Sequence, residues 1–137
     1  MKKNKHTILF VDDEPWLHDA LIAFIEDEDF ICISKSNMSD AWRVINEQKI
    51  SSVVTGIIRS PGEDFPDVDS SETGFIFIDL LIKNFPDINI VCLSVIGDRD
   101  KINYLKKKGV LYIRKGETPL ESAIKTIKSK TTGCYEV

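Results

Sequence analysis

Five short β-branched or apolar runs, at 7–11, 30–34, 50–55, 88–94 and 110–113, alternate with longer segments of mostly helical pattern. The pattern predicts five strands and five helices. Ile8-Leu9-Phe10-Val11 and Ile90-Val91-Cys92-Leu93 are apolar without interruption. Strands of that kind are covered on both faces, which is the habit of parallel sheets in alternating β/α chains. The expected fold is α/β and doubly wound, with a five-stranded parallel sheet.

Boundary signals agree with this division. Asp13 is placed to cap the first helix, and Pro15 falls near its first turn, where a missing N–H costs little. The helix then runs towards Glu26, with Leu17, Leu21, Phe24 and Ile25 as its expected core stripe. Thr118 with Glu121 three residues on, and Pro119 between them, reads as a capping box opening the last helix, whose stripe is Leu120, Ile124 and Ile127. Gly109 after Lys106-Lys107-Lys108 matches a glycine stop with cations in the last turn, a helix-end explanation of the lysine run that takes precedence over a partner-binding patch.

The stretch from Phe75 to Ile82 is apolar nearly all round, and its length favours a helix over a strand. Ile76 and Leu80 fall at positions expected to face solvent. Either Phe65 and Val68 fold back over them, or they belong to a dimer or partner surface. Residues 62–73 are rich in Glu, Asp, Ser and Pro and read as an exposed acidic loop. One domain is expected over 1–130, with a polar tail over 131–137 and no internal repeat.

A chain of 137 residues, 42% of them hydrophobic, suits a single core. The net charge of −4 and the absence of a basic stripe argue against nucleic-acid binding. Cys32, Cys92 and Cys134 are odd in number and widely spaced. Two of them sit in apolar runs, as reduced core cysteines do, so a reducing cytoplasm is expected. The apolar run after Lys2, Lys3 and Lys5 is too short for a signal peptide or a membrane helix. His6 and His18 suggest no metal set or triad, and both are expected at the surface.

In a doubly wound sheet, ligands gather beyond the carboxyl ends of the strands. Asp12 and Asp13 end the first strand, Ser94 ends the fourth, and Lys115 follows the fifth, with Tyr112 three residues earlier. Two adjacent carboxylates repel unless a cation sits between them, and hard oxygen ligands of this kind suit Mg²⁺. A nearby lysine and hydroxyl could hold a phosphoryl group. Without a metal, Asp13 would serve as a helix cap and Lys115 would pair with either aspartate.

The opening Ile8-Leu9-Phe10-Val11-Asp12-Asp13-Glu14-Pro15 resembles that of a response-regulator receiver domain of two-component signalling. Gly74, Phe85-Pro86-Asp87-Ile88, Leu93-Ser94, Lys107-Lys108-Gly109 and Tyr112-Ile113-Arg114-Lys115 resemble later family segments in order and spacing, so the likeness covers nearly the whole chain. It implies a flavodoxin-like sheet of order 2-1-3-4-5. It also implies that Asp12 and Asp13 bind Mg²⁺, that Ser94 and Tyr112 are the switch hydroxyl and switch aromatic, and that Lys115 pairs with the phosphoryl group. A histidine kinase or another regulator would be the partner, contacted through the face formed by the fourth helix, fifth strand and fifth helix, with a homodimer as a further expectation.

The third strand departs from the family. It continues Val53-Val54-Thr55-Gly56-Ile57-Ile58-Arg59-Ser60-Pro61-Gly62, which places Gly56 at the phosphoacceptor position, or Ile57 if aligned on Pro61. Neither offers a nucleophilic oxygen. Val95 stands where the family has a small residue, Gly116 stands where it has proline, and the acidic loop lengthens the connection after the third strand. The leading expectation is a degenerate receiver acting by protein–protein interaction, not an enzyme. A second reading places an unconventional acceptor at Glu63, Asp64, Asp67 or Asp69. A third is a flavodoxin-like cofactor binder or small enzyme, disfavoured because Asp12-Asp13-Glu14 would repel a cofactor phosphate.

Overall fold

The computed structural model describes residues 6–12, 16–27, 29–56, 62–63, 73–94, 99–114 and 116–133. Along them run β1 (His6–Val11), α1 (Trp16–Ile25), β2 (Phe30–Lys35), α2 (Met38–Glu47) and β3 (Ser52–Thr55). There follow α3 (Thr73–Asn84), β4 (Asn89–Ser94), α4 (Arg99–Lys107), β5 (Leu111–Arg114) and α5 (Leu120–Thr132). The strands form one parallel sheet in the order β2-β1-β3-β4-β5. The segment from Phe75 to Ile82 is helical, as its length predicts.

Strand alternation makes the sheet two-sided. Ile8, Phe10, Val54, Val91 and Ile113 pack with Leu21 and Ile25 of α1 and with Ala123 and Ile127 of α5. Leu9, Val11, Val53, Ile90 and Cys92 face the other way, against Met38 and Ala41 of α2, Phe77 and Ile78 of α3 and Leu105 of α4. The unbroken apolar runs of β1 and β4 have this physical cause: every residue of such a strand meets a helix.

Several helix details differ from the sequence expectation. Among the described side chains of α1 the buried stripe is His18, Leu21 and Ile25, while Phe24 is 64% exposed and the side chain of Leu17 lies outside them. His18 is fully buried, not at the surface. Its spacing of three and seven from Leu21 and Ile25 puts it on the inner face of the helix. The capping box does not form, because α5 begins after Pro119 with no side-chain cap bond. Thr118 belongs instead to the turn after β5, its N–H donating to Arg114 O at 3.2 Å. The α5 stripe is Ala123, Ile127 and Thr131, with Leu120 half-exposed. The helix continues through Thr131 and Thr132, residues that read as polar tail in the sequence.

Other stops and starts follow the physics of helix ends. Gly109, at φ 82°, closes α4: its N–H donates to Lys106 O and that of Val110 to Leu105 O, both at 3.0 Å. Asn37 caps α2 by accepting from Asp40 N at 2.9 Å while its amide donates to Asp40 Oδ2 at 2.9 Å. Ile76 packs against the core and Leu80 is half-buried. Phe65 and Val68, offered above as their cover, lie outside the described residues, as do Asp13 and Pro15 at the start of α1.

Candidate functional site

The carboxyl rim is assembled by strand register. Val11 pairs with Thr55 across β1 and β3, and the Gly56 N–H donates to Val11 O at 3.0 Å. Asp12 and Gly56 are therefore the next residues outward on neighbouring strands, and alternation turns both towards the α1 side of the sheet. A Cβ placed on Gly56 would stand 2.7 Å from Asp12 Oδ2 and 3.1 Å from its Cγ. The Asp12 carboxylate thus occupies the space that a side chain at position 56 would need.

A third residue completes the group. His18, on the inner face of α1, brings Nε2 to 3.6 Å from Asp12 Oδ2. Its ring stands edge-on to Phe10, with centroids 5.3 Å apart. Asp12 is itself only 7% exposed. A carboxylate drawn that far from water needs polar or charged neighbours, because desolvation without them costs several kcal/mol, on the order of 2–7 for a neutral polar group and more for a charge. Sequence reasoning gave His18 no role, although its helical spacing from Leu21 and Ile25 was a signal that it lay inside.

The other rim residues distribute less compactly. Ser94 ends β4 and pairs with Arg114, which places its backbone at the same edge of the sheet. Tyr112 pairs with Cys92 and packs on the opposite face, against the core beneath α2, α3 and α4. Burial pushes its phenol above the ordinary tyrosine value, with Cys92 and Glu117 adding to the shift and Arg114 opposing it. Asp13 and Lys115 lie outside the described residues. So the structure joins Asp12 to Gly56, aligns Ser94 with them along the rim, and sets Tyr112 on the other side of the sheet.

Beyond the rim, Glu63 of the acidic segment is held by Arg43 of α2 at 2.8 Å. Gly62, at φ 83°, lies so close to α2 that a Cβ there would stand 2.4 Å from Ser39 Oγ. A concavity of about 680 Å³ opens at the opposite end of the sheet between Ile45, Lys49, Phe85 and Asn89. It is remote from Asp12 and Gly56. No described helix is long and apolar enough to cross a membrane.

Solved structures with this architecture are numerous. A response regulator receiver domain protein (CheY-like) from Methanospirillum hungatei matches over 95% of this chain and 96% of its own, with a TM-score of 0.76 and 17% identity. The fold is that of receiver domains. A response regulator from Thermotoga maritima matches with a TM-score of 0.75 and 23% identity, over 93% of this chain and 98% of that one. A chemotaxis response regulator of Vibrio cholerae gives 0.72 and 15%, over 93% and 99%. No family model and no curated protein matches the sequence. At these identities the likeness establishes the fold, and function has to be argued from the rim.

The receiver fold implies a Mg²⁺ ion beside the β1 acids, of which Asp12 is described and Asp13 lies outside the described residues. Mg²⁺ demands near-octahedral oxygen ligation at about 2.0–2.1 Å. The described residues contain no group of three or more His, Cys, Asp or Glu able to hold a metal. The carboxylate of Asp12, the one described acid of the pair, is turned towards His18 and into the space beside Gly56.

Proposed function

We propose that this chain is a receiver-like signal-transduction module of a two-component phosphorelay, working through protein–protein contacts without aspartyl phosphorylation. The observation that carries this reading is Gly56. At the carboxyl end of β3 the chain presents a residue with no side chain, and the adjoining space is filled by Asp12. Transfer of a phosphoryl group needs a nucleophilic oxygen in line with the phosphorus, and glycine supplies none.

The fold, Asp12 and Ser94 at the rim, and the places of Asp13, Tyr112 and Lys115 in the sequence support a place among receivers rather than among cofactor-binding flavodoxin-like proteins. Binding would then be the output, with a histidine kinase or another regulator as partner, or a second copy of the chain. An acceptor in the acidic loop is less well supported. Its one described carboxylate, Glu63, is held on the flank of α2 by Arg43.

The test is intact mass after incubation with Mg²⁺ and a small acyl-phosphate donor. The expected result is no gain. A gain of one phosphoryl group by the native chain would overturn the reading and direct peptide mapping to Asp64, Asp67 and Asp69.

A further inference from the structure

We infer that Gly56, Asp12 and His18 form one device that closes the rim to divalent cations, with the buried imidazole standing where a metal-centred arrangement would otherwise engage Asp12. The inference rests on reading the chain as a receiver-like module, and adds to it a cause: the site has been refilled as well as deprived of an acceptor.

Three observations converge. First, Asp12 Oδ2 lies 2.7 Å from the point where a Cβ on Gly56 would be, a separation that real Cβ atoms essentially never show. The inward turn of the carboxylate is therefore compatible with glycine and with no other residue at 56, unless Asp12 moves. Second, the same oxygen is 3.6 Å from His18 Nε2, and His18 is fully buried. The imidazole is packed edge-on against Phe10, with ring centroids 5.3 Å apart. Third, Asp12 is 7% exposed, so little of its carboxylate is open to a hydrated ion at the rim. Mg²⁺ sheds water reluctantly and binds through carboxylates that reach out to it. To recruit Asp12, a cation would have to break the contact with His18 and leave a buried imidazole facing a void.

His18 is thus a positioning residue. It acts through Asp12, and glycine at 56 is what permits it to do so. One consequence is specific. Restoring a carboxylate at position 56 by itself does not rebuild a metal site, because the new side chain meets Asp12 in its way. The site reopens when His18 is replaced as well.

The experiment is calorimetric titration with Mg²⁺, and Mn²⁺-induced broadening of backbone amide signals, on the native chain, on Gly56→Asp, and on His18→Asn combined with Gly56→Asp. Circular dichroism and thermal melts establish which variants fold. The expected result is no saturable binding and no rim broadening in the native chain. The double variant is expected to bind one ion, with an apparent affinity at least on the order of tenfold above Gly56→Asp alone. Saturable Mg²⁺ binding by the native chain, with broadening at Asp12 and Gly56, would overturn the inference. So would a folded double variant that binds no better than Gly56→Asp. If the double variant does not fold, the native titration decides by itself. The two readings fail separately: Mg²⁺ binding by a native chain that takes no phosphoryl group removes this inference and leaves the proposed function standing.

Discussion

The Ser52 hydroxyl donates to Thr131 Oγ1 at 2.8 Å inside the core, and Thr131 donates in turn to Ile127 O at 2.7 Å. The chain of hydroxyls ties β3 to the last full turn of α5, with Ser52 fully buried and Thr131 nearly so. Replacing Thr131 by Val leaves a buried hydroxyl without its acceptor, which costs about 1–3 kcal/mol. Ser52→Ala costs less, since Thr131 keeps its carbonyl partner, and the double variant recovers part of the Thr131→Val loss. Urea unfolding of the four proteins measures this. An unchanged midpoint for Thr131→Val would show that α5 is not fastened to the sheet there.

Gly62 is the residue by which the acidic segment meets α2. Its φ of 83° is a conformation that L-residues reach at a cost, and a Cβ would lie 2.4 Å from Ser39 Oγ and 2.6 Å from Ser39 Cβ. The conformational and steric penalties together predict a loss of about 2–4 kcal/mol for Gly62→Ala. Ser39→Gly in that background relieves the contact with Ser39 but leaves Asn37 Oδ1 at 2.8 Å and the backbone cost, so it rescues part of the loss. The neighbouring Arg43–Glu63 pair is well exposed on both sides, and Arg43→Ala is expected to change stability by less than about 1 kcal/mol. Equal effects for Gly62→Ala and Arg43→Ala in the same denaturant series would contradict the packing account.

Much of this fold is legible in the chain because each strand carries an apolar run and ends on, or just before, a polar residue or the glycine of the rim. The runs around Ile8 and Ile90 announce a doubly covered sheet, and Gly109 announces the end of α4. Gly56 stands out as a missing carboxylate for the same reason: a strand fixes which residue comes next at its end. What was not legible is where side chains turn. Periodicity puts His18 on the inner face of α1, yet a histidine among apolar residues is easily assigned to the surface, and nothing in composition says that Asp12 would turn towards it. Thr118 and Glu121 have the spacing of a capping box, but the turn after β5 holds Thr118 and starts the helix one residue later. Local sequence chemistry lost to tertiary context in both cases.

Tyr104 of α4 donates to Asp79 of α3, with the hydroxyl 3.0 and 2.9 Å from the two carboxylate oxygens, and its ring stands edge-on to Phe75. The bond to Asp79 holds the phenol above the ordinary tyrosine value. The proton is therefore retained to higher pH in the folded chain, and the contribution is lost as pH rises through that raised value. Asp79→Asn should bring the Tyr104 titration down, followed at the ring carbon bearing the hydroxyl by NMR. Tyr104→Phe should leave α4 folded but speed amide exchange where it meets α3. A Tyr104 titration indifferent to Asp79→Asn would mean that the contact does not persist in solution.

Cys32 offers the clearest pH signature. It lies on β2 at the edge of the sheet, its N–H donating to Glu26 Oε2 at 3.1 Å. Burial pushes its thiol from the ordinary value near 9 up to about 12, with the Glu26 and Asp27 carboxylates adding to the shift and Lys128 opposing it. A folded-state value raised above the unfolded one gives stability that is complete below about pH 9 and is lost as pH climbs through about 12. The thiolate is the reactive species, so alkylation of Cys32 at pH 9 should be slower in the folded chain than in urea by roughly two orders of magnitude. Peptide mapping separates Cys32 from Cys92 and Cys134. Glu26→Gln removes one of the two carboxylates that raise the value and should speed the folded-state reaction severalfold. Alkylation of Cys32 as fast in buffer as in urea would show that the edge of β2 opens freely and that the Glu26 contact does not guard it.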